Sequence, residues 1–324
     1  MDRQAAQNLN RDKSSVAMAA RSGLISVVIP MHNAAPFITE TIASVLAQGD
    51  CVREVIVVDD GSSDGSGEVA AASGDPRVRV ITMKYSVGVS AARNIGVRET
   101  SGEWLYFIDA DDLARPGALD ELLNAAGTKP DVGLVYGDYD RIRQDGASAG
   151  NRRHFMAMRR KPTGDVLESI VQKNCMVVGA QIVRREIFDA CGGFDETLRK
   201  LEDWHFWCLA AARTEFLFVP GLYVMSYRVH ETSTMHTRLL PFDAVRPGIE
   251  AVYSDPSITA RLDAKRLAGF RRSTEAAMLS YLASVAVRLG TYRAGLAMIF
   301  HSIRRDPARG PRAMAQFAGA FVGL

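Results

Sequence analysis

Residues 104–112 read Trp104-Leu105-Tyr106-Phe107-Ile108-Asp109-Ala110-Asp111-Asp112, an apolar run that stops against three carboxylates. Five consecutive apolar side chains predict a short strand buried on both faces. In an open α/β sheet, ligands bind outside the carboxyl ends of the strands. Side-chain direction alternates along an extended segment, so Asp109 and Asp111 point the same way. Two oxygen ligands there suit a hard divalent cation that keeps several waters and completes its shell with a substrate phosphate.

Outward from this stretch, short apolar runs alternate with helical ones. Strands are expected at Ile25–Pro30, Glu54–Asp59, Val78–Met83, Trp104–Ile108 and Val132–Tyr136. Helices are expected near Pro36–Gln48, after Asp64, near Val89–Arg98 and after Pro116. This order predicts an α/β fold with a mainly parallel central sheet and helices on both faces. Pro36 and Pro116 suit a first helical turn, and Gly74 and Gly127 suit helix ends. A polar, basic loop follows at Arg141–Lys161, long enough to be a functional insertion. The next segment is less regular: a strand at Val177–Val183, a helix at Arg185–Cys191, the turn Gly192-Gly193, a helix at Asp203–Ala212 and a strand near Phe216–Tyr227. From about Leu239 the texture becomes Ala- and Arg-rich and helical, with Tyr281–Pro307 reading as two antiparallel helices around Gly290. Such a region reads as a helical cap on the main domain or as a basic amphipathic face for a membrane surface.

With 324 residues, 47% of them apolar, the chain can bury a sizeable core. A formal net charge of only +2 predicts no nucleic-acid partner. Cys51, Cys175, Cys191 and Cys208 form no Cys-x-x-Cys pair, so neither a zinc knuckle nor a disulfide framework is indicated. Residues 1–23 read as a polar, flexible tail, and the longest apolar stretches, such as Ala276–Val287, fall short of a bilayer span. A cytoplasmic location follows as the expectation, with peripheral contact at the inner face of the membrane through the C-terminal helices.

A second acidic strand end lies at Val55-Ile56-Val57-Val58-Asp59-Asp60-Gly61-Ser62-Ser63-Asp64. Asp64 reads as a helix cap. Asp59 shares the sheet edge with Asp109, and an acceptor-only carboxylate there can take a ring N–H or a ribose hydroxyl. Arg93, in the helix between the two acidic strands, either helps to hold an anionic group or ties the acidic loops together as an ion pair.

Four motifs in order, Ile25-Ser26-Val27-Val28-Ile29-Pro30-Met31-His32-Asn33, the Asp59–Asp64 loop, Ala92-Arg93-Asn94-x-Gly96 and Asp109-Ala110-Asp111-Asp112, resemble family 2 of the glycosyltransferases over roughly residues 24–232. The resemblance implies a GT-A fold and inverting transfer from a nucleoside diphosphate sugar, usually a uridine one, to a glycan or lipid-linked acceptor. It divides the chain into a glycosyltransferase domain at 24–238, with a nucleotide-sugar half at 24–140 and an acceptor half at 141–238, and a helical region at 239–324. By position it places Pro30, His32 and Asn33 at the nucleoside, Asp59 at the base, Asp109 with Ala110 near the ribose, Arg93 on the donor side, and Asp111 on Mn²⁺ or Mg²⁺, with Asp112 able to share that role. Gly192-Gly193-Phe194-Asp195-Glu196 and Leu201-Glu202-Asp203-Trp204 resemble the acceptor-side motif. There Asp203 is the implied general base, with Glu202, Asp195 and Trp204 in support. Arg228-Val229-His230 resembles a late motif whose His completes the metal shell or meets the diphosphate.

Other enzyme classes fit less well. A haloacid-dehalogenase-like phosphatase carries Asp-x-Asp on its first strand. A dinucleotide oxidoreductase or a sugar nucleotidyltransferase wants a glycine-rich loop where Met31-His32-Asn33-Ala34-Ala35-Pro36 stands. A serine hydrolase fails because Ala92 occupies the glycine position of a nucleophile elbow around Ser90. A degenerate transferase that only binds nucleotide sugar is disfavoured by the joint presence of Asp59, Asp109, Asp111 and Asp203.

Overall fold

The computed structural model describes residues 24–149, 161–230 and 239–321. The predicted tail at 1–23, residues 150–160 of the predicted loop, and 231–238 lie outside the described residues. The first half runs β1 (Ile25–Met31), α1 (Ile38–Leu46), β2 (Val52–Asp59), α2 (Ser66–Ala71), β3 (Val78–Thr82), α3 (Val89–Arg98), β4 (Trp104–Phe107), β5 (Leu113–Ala114), α4 (Ala118–Gly127) and β6 (Val132–Arg143). Then come α5 (Leu167–Gln172), β7 (Gln181–Arg184), α6 (Arg185–Cys191), α7 (Glu202–Ala211) and β8 (Glu215–Val229). Five helices close the chain: α8 (Phe242–Ser254), α9 (Pro256–Thr259), α10 (Ala264–Arg288), α11 (Tyr292–Arg305) and α12 (Gly310–Phe321).

The eight strands form one sheet in the order β3-β2-β1-β4-β7-β6-β8-β5. β1 pairs in parallel with β2 on one side and β4 on the other. The chain therefore steps outward from β1 to β3 and then returns to the far side of β1. The ends of β1 and β4 face a crevice that no connection crosses, the position at which such sheets bind ligands.

The sheet is mainly parallel, as the sequence predicted, with β1–β2, β1–β4, β2–β3 and β6–β8 paired in parallel, and it carries two antiparallel strands. β7 runs antiparallel between β4 and β6, and β5 antiparallel to β8. An apolar run does not report its own direction, and β7 passes straight into α6 with no crossover helix to mark it. β6 also extends beyond its apolar segment to Arg143, and a hairpin returns to Ala149, whose N–H donates to the Arg141 carbonyl at 2.9 Å. Residues 141–143 of the predicted loop are thus strand, paired with Tyr227–Val229 of β8. Pro36 and Pro116 stand in the turns just before α1 and α4 rather than within their first turns.

Both faces of the sheet are covered. One carries β1, β2 and β4 side chains against α1 and α4, with Val27, Ile29, Ile38 and Leu119 fully buried. The other brings Phe107 and Val183 against Phe194, Phe206 and Trp207, and this cluster continues into Val245, Ile249 and Leu282 of the C-terminal helices. Those helices share a core with the sheet.

Gly96 shows why the Arg93-Asn94-x-Gly96 helix needs its glycine. A Cβ there would lie 2.4 Å from Val28 Cγ1 of β1, so α3 rides directly on the strand that leads to the crevice. Helix propensity alone favours Ala by about 1 kcal/mol, whereas overpacking a tight core contact costs about 1–3 kcal/mol. Gly96→Ala should therefore lower the denaturant midpoint, and Val28→Ala in the same chain should recover part of the loss. A raised midpoint would show that α3 is free to move off β1.

Candidate active site

The β1–α1 and β2–α2 turns are knitted together before any ligand enters. Asn33 sits at φ +52°, a left-handed conformation that Asn tolerates better than most residues. Its N–H donates to Ser62 Oγ at 2.9 Å and its Oδ1 accepts from Ser63 N–H at 2.9 Å. His32 Nδ1 donates to the Asp60 carbonyl at 2.8 Å, which leaves Nε2 to accept from Asn33 Nδ2 at 3.1 Å. Asp64 accepts from Ala35 N–H at 3.0 Å and from Ser66 N–H at 3.0 Å, a turn-closing role. The Asp60 carboxylate accepts from Ser86 Oγ, Val87 N–H and Gly88 N–H at 2.7, 2.6 and 2.9 Å. Asp59 is 3% exposed and accepts from Ser62 N–H at 3.0 Å. Pro30 is buried in β1, in register with Val58.

Arg93 joins the two halves of the crevice. It is 2% exposed, and its Nη2 donates to Asp109 Oδ1 at 2.9 Å while Nη1 donates to Glu202 Oε1 at 3.2 Å. The guanidinium also lies 5.1 Å from the Phe194 ring centroid, a cation–π contact strengthened by desolvation. Burial works to strip its proton, but Asp109 and Glu202 outweigh it and hold Arg93 above its ordinary range. Burial raises the Asp109 carboxyl, and Arg93 opposes that rise. Arg93 pairs with one of the two acidic loops, at Asp109, but its second partner is Glu202 rather than the Asp59–Asp64 loop, and Asp109 still shows 39% of its side chain to solvent.

One residue along, Asn94 Nδ2 donates to the Phe194 carbonyl at 2.8 Å and to Glu196 Oε1 at 2.9 Å, while Phe194 N–H donates to Asn94 Oδ1 at 2.9 Å. This clamp fixes the Gly192–Glu196 turn. A Cβ on Gly193 would fall 2.7 Å from Asn94 Oδ1. Asp195 caps its own turn, accepting from Thr197 N–H at 2.8 Å and Thr197 Oγ1 at 2.7 Å.

At the β4 end the three aspartates divide. Asp111 Oδ2 lies 2.7 Å from His230 Nε2, with 32% of the Asp111 side chain exposed. Asp112 is 1% exposed and turns inward, its Oδ1 accepting from Arg228 N–H at 2.8 Å. Burial, then repulsion from Asp111 and Asp109, holds Asp112 well above the ordinary carboxylate range. Ala110 is buried, and its carbonyl accepts from Thr41 Oγ1 at 2.9 Å.

Arg228 is 2% exposed and every arm is engaged. Nε donates to the Asp111 carbonyl at 2.8 Å, Nη1 to the Gln144 carbonyl at 2.8 Å and Nη2 to Glu40 Oε2 at 2.6 Å. It fixes the backbone that carries Asp111. Among the described residues, no group of three or more His, Cys, Asp or Glu side chains converges as a metal cage. Asp111 with His230 offers one oxygen and one nitrogen at a partly open edge. This fits an ion that takes its other ligands from water and a phosphate.

Glu202 and Asp203 open α7. Burial, then the neighbouring Glu202, pushes the Asp203 carboxyl up to about 7. Its Oδ1 accepts from Trp204 N–H at 2.7 Å and its Oδ2 from Asn174 Nδ2 at 3.3 Å. Trp204 lies beneath, 3% exposed, with its indole N–H donating to the Ile170 carbonyl at 2.7 Å. The preceding residue, Leu201, sits at φ +65°. That conformation is strained for a bulky side chain, at about 1–3 kcal/mol. It is pressed against α8, where a Cβ on Gly248 would lie 2.6 Å from the Lys200 carbonyl oxygen and 2.7 Å from Leu201 Cβ.

Gln181 was not singled out from the sequence. It is 1% exposed, and among the described residues neither end of its amide has a hydrogen-bond partner. Ile182 pairs with Tyr106, so Gln181 stands beside Phe107 and just below Asp109. A glutamine inside the apolar Val177–Val183 run was the available signal.

A family model described as Glycosyl transferase family 2 matches residues 26–192. Succinoglycan biosynthesis protein ExoO of Rhizobium meliloti is 28% identical over 264 residues, covering 77% of this chain and 74% of that one. Glycosyltransferase GlyG of Streptococcus pneumoniae is 36% identical over 120 residues, 36% of this chain and only 40% of the relative. The UDP-Glc:alpha-D-GlcNAc-diphosphoundecaprenol beta-1,3-glucosyltransferase WfgD of Escherichia coli is 33% identical over 119 residues, 37% of this chain and 47% of the relative. Among solved structures, S. aureus TarS 1-349 in complex with UDP-GlcNAc superposes with a TM-score of 0.64 at 16% identity, over 92% of this chain and 89% of that one. The GT-A fold is shared with TarS. A family model that spans half the chain and covers the strand ends and helix assembled in this crevice places the protein in glycosyltransferase family 2.

Proposed function

We propose that the protein moves a sugar, with inversion, from a uridine diphosphate sugar to a hydroxyl of a glycan or lipid-linked acceptor, and that residues 24–238 form the catalytic unit. The observation that carries this reading is the Arg93 fork. One guanidinium binds the donor-edge Asp109 and the acceptor-side Glu202, so Asp203 and the β4 end belong to one cleft. Names of relatives support the substrate class: ExoO refers to succinoglycan, WfgD to a diphosphoundecaprenol-linked acceptor, and the TarS complex holds UDP-GlcNAc.

In this reading Pro30, His32, Asn33 and Asp59 receive the nucleoside and Asp109 the ribose. Asp111 and His230 would hold Mn²⁺ or Mg²⁺, which when bound neutralises charge on the departing diphosphate. Asp203 takes the proton from the acceptor hydroxyl as its oxygen bonds to the anomeric carbon and the bond to the diphosphate breaks on the opposite face. A base with a pKa near the working pH suits that transfer. A lipid-linked acceptor would place the work at the cytoplasmic face of the membrane.

Asp203→Asn should leave donor binding, read by calorimetry, intact while lowering kcat by about 10²–10⁴. Near-normal turnover would remove Asp203 from the mechanism. In the wild type, kcat/KM should climb with pH, tenfold per unit below about 7, and level off above it. Because the folded pKa is raised, the protonated carboxyl's contribution to stability is fully present below its ordinary value of 3.8 and lost as pH rises through about 7. The melting temperature of the Asn variant should therefore gain on wild type in that window. Removal of divalent ions should abolish turnover, and His230→Ala should raise the half-activating concentration of Mn²⁺ by on the order of tenfold or more; an unchanged titration would exclude His230 as a ligand.

A further inference from the structure

Helix α11 is apolar on two faces, one packed inward through Ile299, Met298 and Ile303 and one turned outward. Its buried positions are Gly295, Ile299 and Ser302, two of them small because the helix rides close on α10. A Cβ on Gly295 would lie 3.2 Å from the Ala283 carbonyl oxygen, and Ser302 Oγ donates to the Ala276 carbonyl at 2.7 Å. Two large apolar side chains, Leu296 and Phe300, are one helical turn apart and face outward, 58% and 63% exposed. Met314 of α12 is 50% exposed. An apolar strip turned outward on a helix whose inner face is already filled by close packing serves something other than the core.

The charge around this strip is one-sided. From residue 288 to the C-terminus there are six arginines and one aspartate, in a chain whose whole formal charge is +2. Arg293 and Arg304 lie on the exposed side of α11 and form no ion pair among the described residues. Next to Phe300, a groove of about 540 Å³ is lined by Phe242, Leu279, His301, Arg246, Arg304 and Arg305. Its single acid, Asp243, is matched by Arg246 at 2.6 Å, and Arg305 pairs with Glu275, which leaves Arg304 and His301 open. Among the described residues no helix is long and apolar enough to cross a bilayer.

We infer that the outward face of α11 and α12 docks on the surface of an anionic lipid bilayer, with Leu296, Phe300 and Met314 in the interfacial layer and Arg293, Arg304 and Arg312 on lipid phosphates. Leucine and phenylalanine beside arginines on one exposed helix face form the arrangement that lies flat in such an interface. Each basic residue gains from the negative surface potential. A second copy fits worse, because a two-fold contact would set this arginine-rich face against itself.

Vesicle co-sedimentation of the full chain tests this without reference to turnover, so failure of the transferase reading leaves the result intact. Wild type should partition onto phosphatidylglycerol-containing vesicles and not onto pure phosphatidylcholine, with binding weakened by salt. Leu296→Ser with Phe300→Ser, and separately Arg293→Gln with Arg304→Gln, should each lower partitioning by about tenfold or more, with circular dichroism unchanged and turnover on a water-soluble acceptor retained. Failure of wild type to bind the anionic vesicles at low salt overturns the proposal, as does equal binding by both double variants. A wild-type oligomer in light scattering that the apolar pair dissociates, with no vesicle binding, also overturns it and makes this face a contact between copies.

Discussion

A single buried cation organises the crevice. Arg93 enters from α3 into a site that is almost closed to water, and two carboxylates from distant segments meet its fork. An isolated guanidinium could not be held there, since burial of an unpaired charge costs several kcal/mol. The β4 end, the opening of α7 and the Gly192–Glu196 turn are consequently interdependent, the last through the Asn94 clamp beside Arg93. Burial, then the neighbouring Glu202, raises the nearby Asp203 carboxyl, and Arg93 opposes that rise. Closure of this corner against water, rather than the cation in it, brings that carboxyl to about 7.

Much of this was legible from residues 24–140 because their physics is local and repetitive. Apolar runs of strand length, acidic residues at their ends and helices between them specify a layered α/β sheet and its ligand edge, and α3 begins and ends at its expected residues, Val89 and Arg98. The second half was harder to read because its decisive features are not periodic. The direction of β7 depends on the absence of a crossover, and the strand character of Asp138–Arg143 depends on pairing with β8 rather than on alternation. Leu201 gave no sign of its left-handed backbone, since nothing about a leucine predicts it.

The division among Asp109, Asp111 and Asp112 could not be read from their adjacency either. Residues 109–112 form a turn closed by the Asp112 N–H on the Asp109 carbonyl at 3.1 Å, not the extended segment expected from the sequence, and the Asp112 carboxylate turns in to the buried N–H of Arg228. Arg228 in turn spends its whole fork on Asp111, Gln144 and Glu40. It shapes the edge that carries Asp111 and His230 without presenting a free charge to that edge.

The contact between Leu201 and Gly248 bears on where this enzyme can be cut. The family model stops at residue 192, ahead of α7, although the alignment with ExoO covers 77% of the chain, and a strained leucine stands at the entrance to that helix with α8 wedged against it. A boundary drawn at the end of that model match would cut away α7, and one drawn at the end of β8 would remove the α8 backbone that packs against Lys200 and Leu201. The side chains of the proposed chemistry lie within 24–238, but α8 beyond them supplies packing against the start of α7. Natural recombination or deliberate domain exchange should succeed only with seams placed beyond α8.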